Sequence, residues 1–213
     1  MLNTLLLGRH VANKLNTGVS VKDYEASLLR DIDLTPKYHS TGTSNAILAN
    51  RISYAFDLHG ASLSIDTACS STMVALHQAM ATLKSNDAQM ALVCGANMII
   101  SPDMFVHMSE LGFLSPQGRC RSFDASGNGY VRGEGVAAIL LKPLSAALKN
   151  NDPIRAIVKG TRINQDGRTQ GITMPSGEAQ RRNLEALYGQ PGLSPKDVQY
   201  VEAHVKWPLV QPF

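Results

Sequence analysis

Residues 64–73 read Ser-Ile-Asp-Thr-Ala-Cys-Ser-Ser-Thr-Met, and they place a cysteine, Cys69, between a strand-like segment and the first turn of a helix. Upstream, residues 61–65 alternate small or apolar side chains with polar ones, which predicts a partly buried strand. Downstream, the predicted helix carries apolar residues at helical spacing on one face: Met73, Ala75, Leu76, Ala79, Met80 and Leu83. This order of strand, cysteine and helix predicts a nucleophile elbow in an α/β fold.

The chemistry expected of Cys69 follows from that position. Three hydroxyl residues of the kind that helix starts favour come next, so Cys69 is expected where unpaired backbone N–H groups converge. The positive end of the helix dipole favours a thiolate over a thiol. A free cysteine is more often a small buried hydrophobe, but this context favours a nucleophile that attacks acyl groups. We therefore predict that Cys69 is catalytic.

The composition of the chain favours a globular protein and argues against several kinds of binding site. The chain has 213 residues, 44% of them hydrophobic, which is enough for a sizeable core. Its net charge of +3 comes from dispersed basic and acidic residues, so a nucleic-acid-binding surface is not expected. The three cysteines have no CxxC spacing, which argues against a disulfide framework and a zinc site. A cytoplasmic location fits best, since no apolar run is long enough to span a bilayer and the N-terminus is a poor secretory signal.

The rest of the chain predicts alternating strands and helices. The expected helices cover residues 103–111, 144–148 and 177–188, the last with Leu184 and Leu187 on its buried side. Ser194 and Pro195 form a helix-start pattern. The expected strands cover residues 89–96, 135–141, 154–163 and 198–202. The first of them suits a strand covered on both faces, and the second also reads as buried.

The glycines between residues 115 and 135 mark a long irregular loop. Their spacing fits neither GxGxxG nor GxxxxGK[ST], and they precede a strand where phosphate-binding motifs precede a helix. We therefore expect a structural loop and not a phosphate site.

Six histidines compete for the role of partner to Cys69, and one of them, His204, follows the predicted strand at residues 198–202. Ligands in α/β sheets bind at the carboxyl ends of strands. The others lack a motif and are expected to be structural: His10, His39, His59, His77 and His107.

Several motifs stand in the order found in one family. Asp-Thr-Ala-Cys-Ser-Ser at residues 66–71 closely resembles the active-site signature of β-ketoacyl synthases. Matching segments occur at residues 50–58, 123–135, 164–167 and 201–204. The sequences of these segments are most similar to those of ketosynthase domains of fungal type I reducing polyketide synthases. We expect an N-terminal segment of uncertain structure at residues 1–16, a partial ketosynthase domain at residues 17–204 and an aberrant tail at residues 205–213.

The resemblance implies a partial thiolase-like fold, with most of the N-terminal half present and the C-terminal half missing. It implies that Cys69 accepts an acyl chain from an acyl carrier protein, and that His204 helps to bind the malonyl extender and promotes its decarboxylation. No metal or bound organic cofactor is expected, because the phosphopantetheine belongs to the carrier. A homodimer or an intact synthase is a further possible partner.

After His204 the family continues Gly-Thr-Gly-Thr, whereas this chain continues Val-Lys-Trp-Pro. The family's second histidine, its lysine and its second oxyanion loop are not found. We therefore expect a truncated domain that does not condense by itself.

Two alternatives to this function stay open. One is a cysteine hydrolase, since the separation of Cys69 and His204 lies within papain-like spacing although the local motif differs. The other is an inert or interaction-only fragment that pairs with an intact synthase.

Overall fold

The computed structural model describes residues 13–18 and 22–204. The expectations for residues 1–12 and 205–213 lie outside this range. The described chain divides into two compact units. The first contains the residues up to Met98 together with Glu134–Thr161, and the second contains Ile99–Gly133 together with the residues from Arg162 onward. Each unit is described by itself.

A four-stranded sheet forms the centre of the first unit, in the order β2-β1-β3-β4. Strand β1 runs parallel to both of its neighbours, and β4 is antiparallel to β3. Their bounds are β1 Asn13–Gly18, β2 Ser62–Ile65, β3 Met90–Asn97 and β4 Gly135–Leu141. Strands β2, β3 and β4 confirm the sequence prediction to within a residue. Strand β1 was not predicted, because its sequence, Asn-Lys-Leu-Asn-Thr-Gly, has little apolar character.

The helices agree with the predicted ones and add three near the N-terminus. Those in the first unit are α1 Asp23–Leu28, α2 His39–Thr43, α3 Asn45–Ala55, α4 Ser71–Lys84 and α6 Leu144–Lys149, and those in the second are α5 Asp103–Glu110 and α7 Gly177–Tyr188. Three-residue 3-10 turns lie at Ile32–Leu34, Ala68–Ser70 and Pro195–Asp197. Ser194 accepts a hydrogen bond from the Lys196 N–H and caps the last of these turns, as predicted.

The core of the first unit lies between α4 and the sheet. Ala75, Ala79 and Leu83 on one face of α4 pack against Ala91 and Val93 of β3. The small alanines allow the helix backbone to approach the strand closely. Met73 was predicted on this face and is instead 63% exposed, because the buried face of α4 runs through the alanines.

The prediction that β4 is buried is wrong. β4 lies at the edge of the sheet, and six of its seven residues are exposed, with Val136 at 76%. Its apolar sequence was typical of a strand covered on both faces. Within the described chain nothing comparable to α4 covers it, so Val136, Ile139 and Leu140 leave an apolar edge.

Two predicted strands are absent from the described chain. Residues 154–163 and 198–202 belong to no strand or helix. A strand needs backbone hydrogen bonds to a neighbouring strand, and apolar sequence alone does not supply that neighbour. The prediction for Leu184 is also wrong: it is 56% exposed, and the buried residue of α7 is Ala179.

Within the described residues, no helix has both the length and the apolar character needed to cross a membrane.

Candidate active site

Cys69 lies in the 3-10 turn Ala68–Ser70, which connects the segment after β2 to the start of α4. Its thiol is free and exposed. The preceding residue, Ala68, has a φ of 54°, in the left-handed region that residues with a β-carbon rarely adopt. The structure therefore has the strand, sharp turn and helix that the sequence predicted around Cys69.

A closed set of hydrogen bonds holds this turn. The Asp66 Oδ1 atom accepts from the Ala68 N–H at 3.0 Å. The Ser71 hydroxyl accepts from the Thr67 N–H at 2.8 Å and donates to the Ala68 carbonyl at 2.7 Å. The Ser70 hydroxyl donates to the Thr67 carbonyl at 2.9 Å. These hydrogen bonds join the residues just before Cys69 to the two serines that follow it.

The predicted capping role of these hydroxyl residues is wrong in detail. Ser70 is the N-cap residue of α4, but its side chain accepts no hydrogen bond from the helix backbone. The hydroxyls of Ser70 and Ser71 point back toward the turn instead. Hydroxyl side chains favour helix starts and tight turns for the same reason, so the residue types alone did not separate the two uses.

Gly95 of β3 supports the turn from the sheet, and sequence reasoning missed it. A β-carbon on Gly95 would lie 2.5 Å from the Thr72 Oγ1 atom. Glycine at this position leaves room for the Thr72 side chain in the first turn of α4, which approaches the strand closely. The only sequence signal was an isolated glycine inside an apolar strand, which indicates such an approach.

The other two cysteines have different surroundings. Cys94 is buried in β3 beside Ala49, and burial raises the pKa of its thiol. Cys120 is exposed in the glycine-rich loop, and its Sγ atom accepts a hydrogen bond from the Val131 N–H at 3.3 Å. Of the three thiols, Cys94 is therefore the buried one, and Cys120 is exposed away from a helix start.

His204 is exposed in the irregular chain of the second unit, not at the end of a strand. Its neighbour Ala203 accepts a hydrogen bond from the Ser122 hydroxyl at 3.3 Å. Cys69 belongs to the first unit, so the two predicted site residues are each placed within their own unit.

Two other histidines have contacts that fit the structural roles expected of them. His77 on α4 shares a hydrogen bond of 2.9 Å with the Thr161 hydroxyl. His59 pairs with Asp57 at 3.1 Å on the surface. His39 begins α2 and His107 lies on α5, whereas His10 is outside the described residues.

The motif at residues 164–167 holds the start of α7. The Asn164 Nδ2 atom donates to the Ala179 carbonyl at 2.7 Å. The Asp166 carboxylate accepts from the Ser176 N–H at 3.1 Å. These contacts tie an irregular segment to a helix within the second unit, a structural role that was not predicted from the sequence.

The contacts of the glycine-rich loop at residues 115–135 hold the loop itself together. Gly129 has a φ of 137°, and a β-carbon there would collide with the backbone of Leu114 and Ser115. Ser115 and Tyr130 pair through their backbones at 2.9 Å, which closes the loop. The Arg132 guanidinium lies over the Phe105 ring at 4.8 Å and forms one wall of an open cleft in the second unit.

Two family profiles match consecutive parts of the chain. "Beta-ketoacyl synthase, N-terminal domain" matches residues 8–147, and "Beta-ketoacyl synthase, C-terminal domain" matches residues 155–206. The highly reducing polyketide synthase sthA of Phaeosphaeria nodorum is 51% identical over 191 residues. The lovastatin diketide synthase lovF of Aspergillus terreus is 52% identical over 187 residues. Each match covers 88% of this chain, whereas the chain spans 7% and 8% of the two relatives.

Solved ketosynthase structures have the same fold over most of the described chain. The oxazolomycin ketosynthase domain of Streptomyces albus JA3453 matches with a TM-score of 0.83 and 35% identity, over 89% of this chain and 34% of that structure. The module 6 ketosynthase of the bacillaene synthase from Bacillus subtilis 168 matches with a TM-score of 0.76 and 38% identity, over 84% and 30%. The fold is thus a partial thiolase-like fold, and the resemblance read from the motifs is confirmed. This chain belongs to the β-ketoacyl synthase family, as part of a polyketide synthase ketosynthase domain.

Proposed function

We propose that this chain carries the acyl-accepting part of a ketosynthase, with Cys69 as the nucleophile. The observation that supports it most directly is the exposed Cys69 thiol in a hydrogen-bonded turn at the start of α4. The family motif occupies this same turn, so sequence and geometry point to one residue. The parent activity is acyl transfer followed by decarboxylative Claisen condensation with a malonyl extender.

In the acylation step, the Cys69 thiolate attacks the carbonyl carbon of an acyl thioester. The carbonyl oxygen becomes an oxyanion, and the proposed donor of a hydrogen bond to it is the backbone N–H of Cys69. The tetrahedral intermediate then collapses. The bond to the donor sulfur breaks, the donor leaves as a thiolate that takes up a proton, and the acyl group stays on Cys69.

The donor is expected to be the phosphopantetheine arm of an acyl carrier protein. The relatives are polyketide synthases, in which the carrier holds that group. This supports a carrier as the partner, and it makes phosphopantetheine part of the incoming substrate. A second copy of the chain or an intact synthase is the other partner that we propose.

His204 is proposed to help bind the malonyl extender and promote its decarboxylation. The support is its position in the family motif at residues 201–204 and its exposure. Condensation in this family uses a second histidine, and the other histidines of the described residues lie outside family motifs. Because residues of such a site act as a unit, we propose that acylation occurs without condensation when the chain is alone.

Intact-protein mass spectrometry tests the proposal. The full chain is incubated with hexanoyl-N-acetylcysteamine, a small thioester that mimics the end of the pantetheine arm. We expect one hexanoyl adduct, located at Cys69 by peptide mapping and absent from Cys69→Ala. Cys120→Ala is the matched control, since it removes the other exposed thiol and should leave the adduct unchanged.

Two outcomes would contradict the proposal. An adduct that persists in Cys69→Ala would place the acyl-accepting group elsewhere. Rapid loss of the hexanoyl group as free hexanoate would favour the cysteine hydrolase alternative. A second incubation with malonyl carrier protein tests condensation, and formation of a β-ketoacyl product by the chain alone would overturn the proposed need for further residues.

A further inference from the structure

The Ser71 hydroxyl bridges two backbone groups of the residues that precede Cys69. It accepts from the Thr67 N–H at 2.8 Å and donates to the Ala68 carbonyl at 2.7 Å. Ser71 is only 3% exposed, although serine is mostly a surface residue. This buried hydroxyl therefore donates one hydrogen bond and accepts one within the turn around Cys69.

The Ala68 carbonyl belongs to the same peptide unit as the Cys69 N–H. A peptide unit is planar and its C=O and N–H point in opposite directions when trans. A hydrogen bond that fixes the carbonyl therefore fixes the direction of the N–H as well. It also polarises the unit and strengthens that N–H as a donor.

The backbone conformation of the turn makes this restraint necessary. Ala68 has a φ of 54°, which costs free energy for any residue with a β-carbon. Such conformations persist only where surrounding contacts hold them. The Asp66 carboxylate holds the Ala68 N–H at 3.0 Å, and the Ser71 hydroxyl holds the carbonyl at the other end of the residue.

We propose that Ser71 is a positioning residue that orients the Cys69 N–H as the oxyanion donor. The inference rests on the proposed function in taking Cys69 as the nucleophile. It adds that the hydroxyl two residues further along aims the group that stabilises the intermediate. Ser71 does not touch the substrate, so it acts only through the peptide unit between Ala68 and Cys69.

The test compares two reactions of the same thiol. p-Nitrophenyl acetate acetylates a thiolate through an oxyanion, whereas iodoacetamide alkylates it by direct displacement of iodide with no oxyanion. The rate of each reaction is measured at Cys69 by peptide mapping of the full chain, and the exposed Cys120 in the same molecule is the internal reference. Both probes react with thiols in general, so the test does not depend on a carrier or a thioester.

For Ser71→Ala we expect the acetylation rate of Cys69 to fall about tenfold relative to Cys120. The alkylation rate should change by less than about twofold. Ser71→Thr keeps the hydroxyl and should restore the ratio of the two rates. Thr82→Ala is the matched control: it removes another buried hydroxyl from α4, one that donates to the Gln78 carbonyl at 2.9 Å, and it should leave the ratio unchanged.

Equal losses in acetylation and alkylation would reduce Ser71 to a structural residue and overturn the inference. A fall of the ratio in Thr82→Ala would also overturn it.

If Ser71→Ala does not fold, as judged by circular dichroism, Ala68→Gly loosens the same peptide unit without removing a buried group. It should then lower the ratio, and an unchanged ratio would count against the inference. Failure of the hexanoyl thioester reaction would refute the proposed function while leaving this comparison intact.

Discussion

Gly95 and Thr72 are in contact so close that a β-carbon on the glycine would lie 2.5 Å from the threonine hydroxyl oxygen. Thr72 lies in the first turn of α4, three residues after Cys69. The start of α4 and β3 are therefore in close contact just after the candidate nucleophile. A larger residue at position 95 has to displace the Thr72 side chain.

We predict that Gly95→Ala lowers the free energy of unfolding by about 1–3 kcal/mol, the usual cost of overpacking a close contact. It should also slow the alkylation of Cys69, because the helix start shifts. Gly42→Ala is the matched control, since nothing lies within 4 Å of its β-carbon position. Denaturant unfolding and thiol labelling measure both effects, and equal stability of the two variants would refute the contact.

The three thiols are predicted to react in a fixed order with iodoacetamide: Cys69 first, Cys120 next and Cys94 last. Cys69 is exposed at a helix start, Cys120 is exposed in a loop, and Cys94 is buried. Brief labelling followed by peptide mapping gives the three rates. Labelling of Cys69 at or below the rate of Cys120 would show that the turn does not activate its thiol.

Cys94 is predicted to make stability fall at alkaline pH. Burial raises the pKa of its thiol in the folded state, so the folded protein retains a proton that the unfolded chain releases above about pH 8.5. The stabilisation is complete below that pH and is lost as the pH rises toward the folded pKa, by up to about 1.4 kcal/mol per pH unit.

Unfolding by urea between pH 7 and 10 under reducing conditions checks this dependence. Cys94→Ala should lose that part of the alkaline decline, and Cys120→Ala should retain it, because it leaves the burial of Cys94 unaltered. Identical pH profiles for the wild-type protein and Cys94→Ala would contradict the prediction.

Ser176 is predicted to stabilise α7. Its hydroxyl accepts from the Ala179 N–H at 3.1 Å, and its own N–H donates to the Asp166 carboxylate. Ser176→Ala should cost about 0.5–2 kcal/mol by removing this cap. Hydrogen exchange of the amides in Gly177–Tyr188 should accelerate. Ser194→Ala removes a cap from a three-residue turn only and should leave the exchange of α7 unchanged.

The apolar edge formed by β4 is predicted to cause association. Val136→Thr keeps the β-branched side chain that strands favour and removes apolar surface. We expect less binding of a hydrophobic dye and a smaller associated fraction in size-exclusion chromatography. Ile172→Thr makes a similar change at an exposed residue outside the strands and helices. Equal effects of the two substitutions would show that β4 is not the associating surface.

Local patterns predicted those elements that depend on their own residues. The periodicity after Cys69 indicated α4, and the apolar runs indicated β3 and β4. The predicted strand at residues 154–163 did not form because a strand also needs a partner, and pairing is not a local property. The same limit applies to the burial of β4, which depends on what packs over it.

The candidate site shows the same division. Cys69 could be identified from the local motif, because the turn and helix start lie within a few residues of it. Gly95 and Ser71 could not be assigned, since their roles depend on a contact across the sheet and on the direction of one peptide unit. Thr161 contacts His77 although 84 positions separate them, and no periodic pattern carries such information.

The position of β1 in the sheet has a consequence for how the chain acquires its structure during synthesis. β1 pairs with β3, from Asn13 opposite Met90 to Gly18 opposite Gly95, and it also pairs with β2. β1 can pair with both of its neighbouring strands only after β3 has left the ribosome. Long closures of this kind slow folding, because chain entropy is lost before the contacts form. Until then the early helices have no completed sheet beneath them, and this is the interval in which a chaperone would have most to protect.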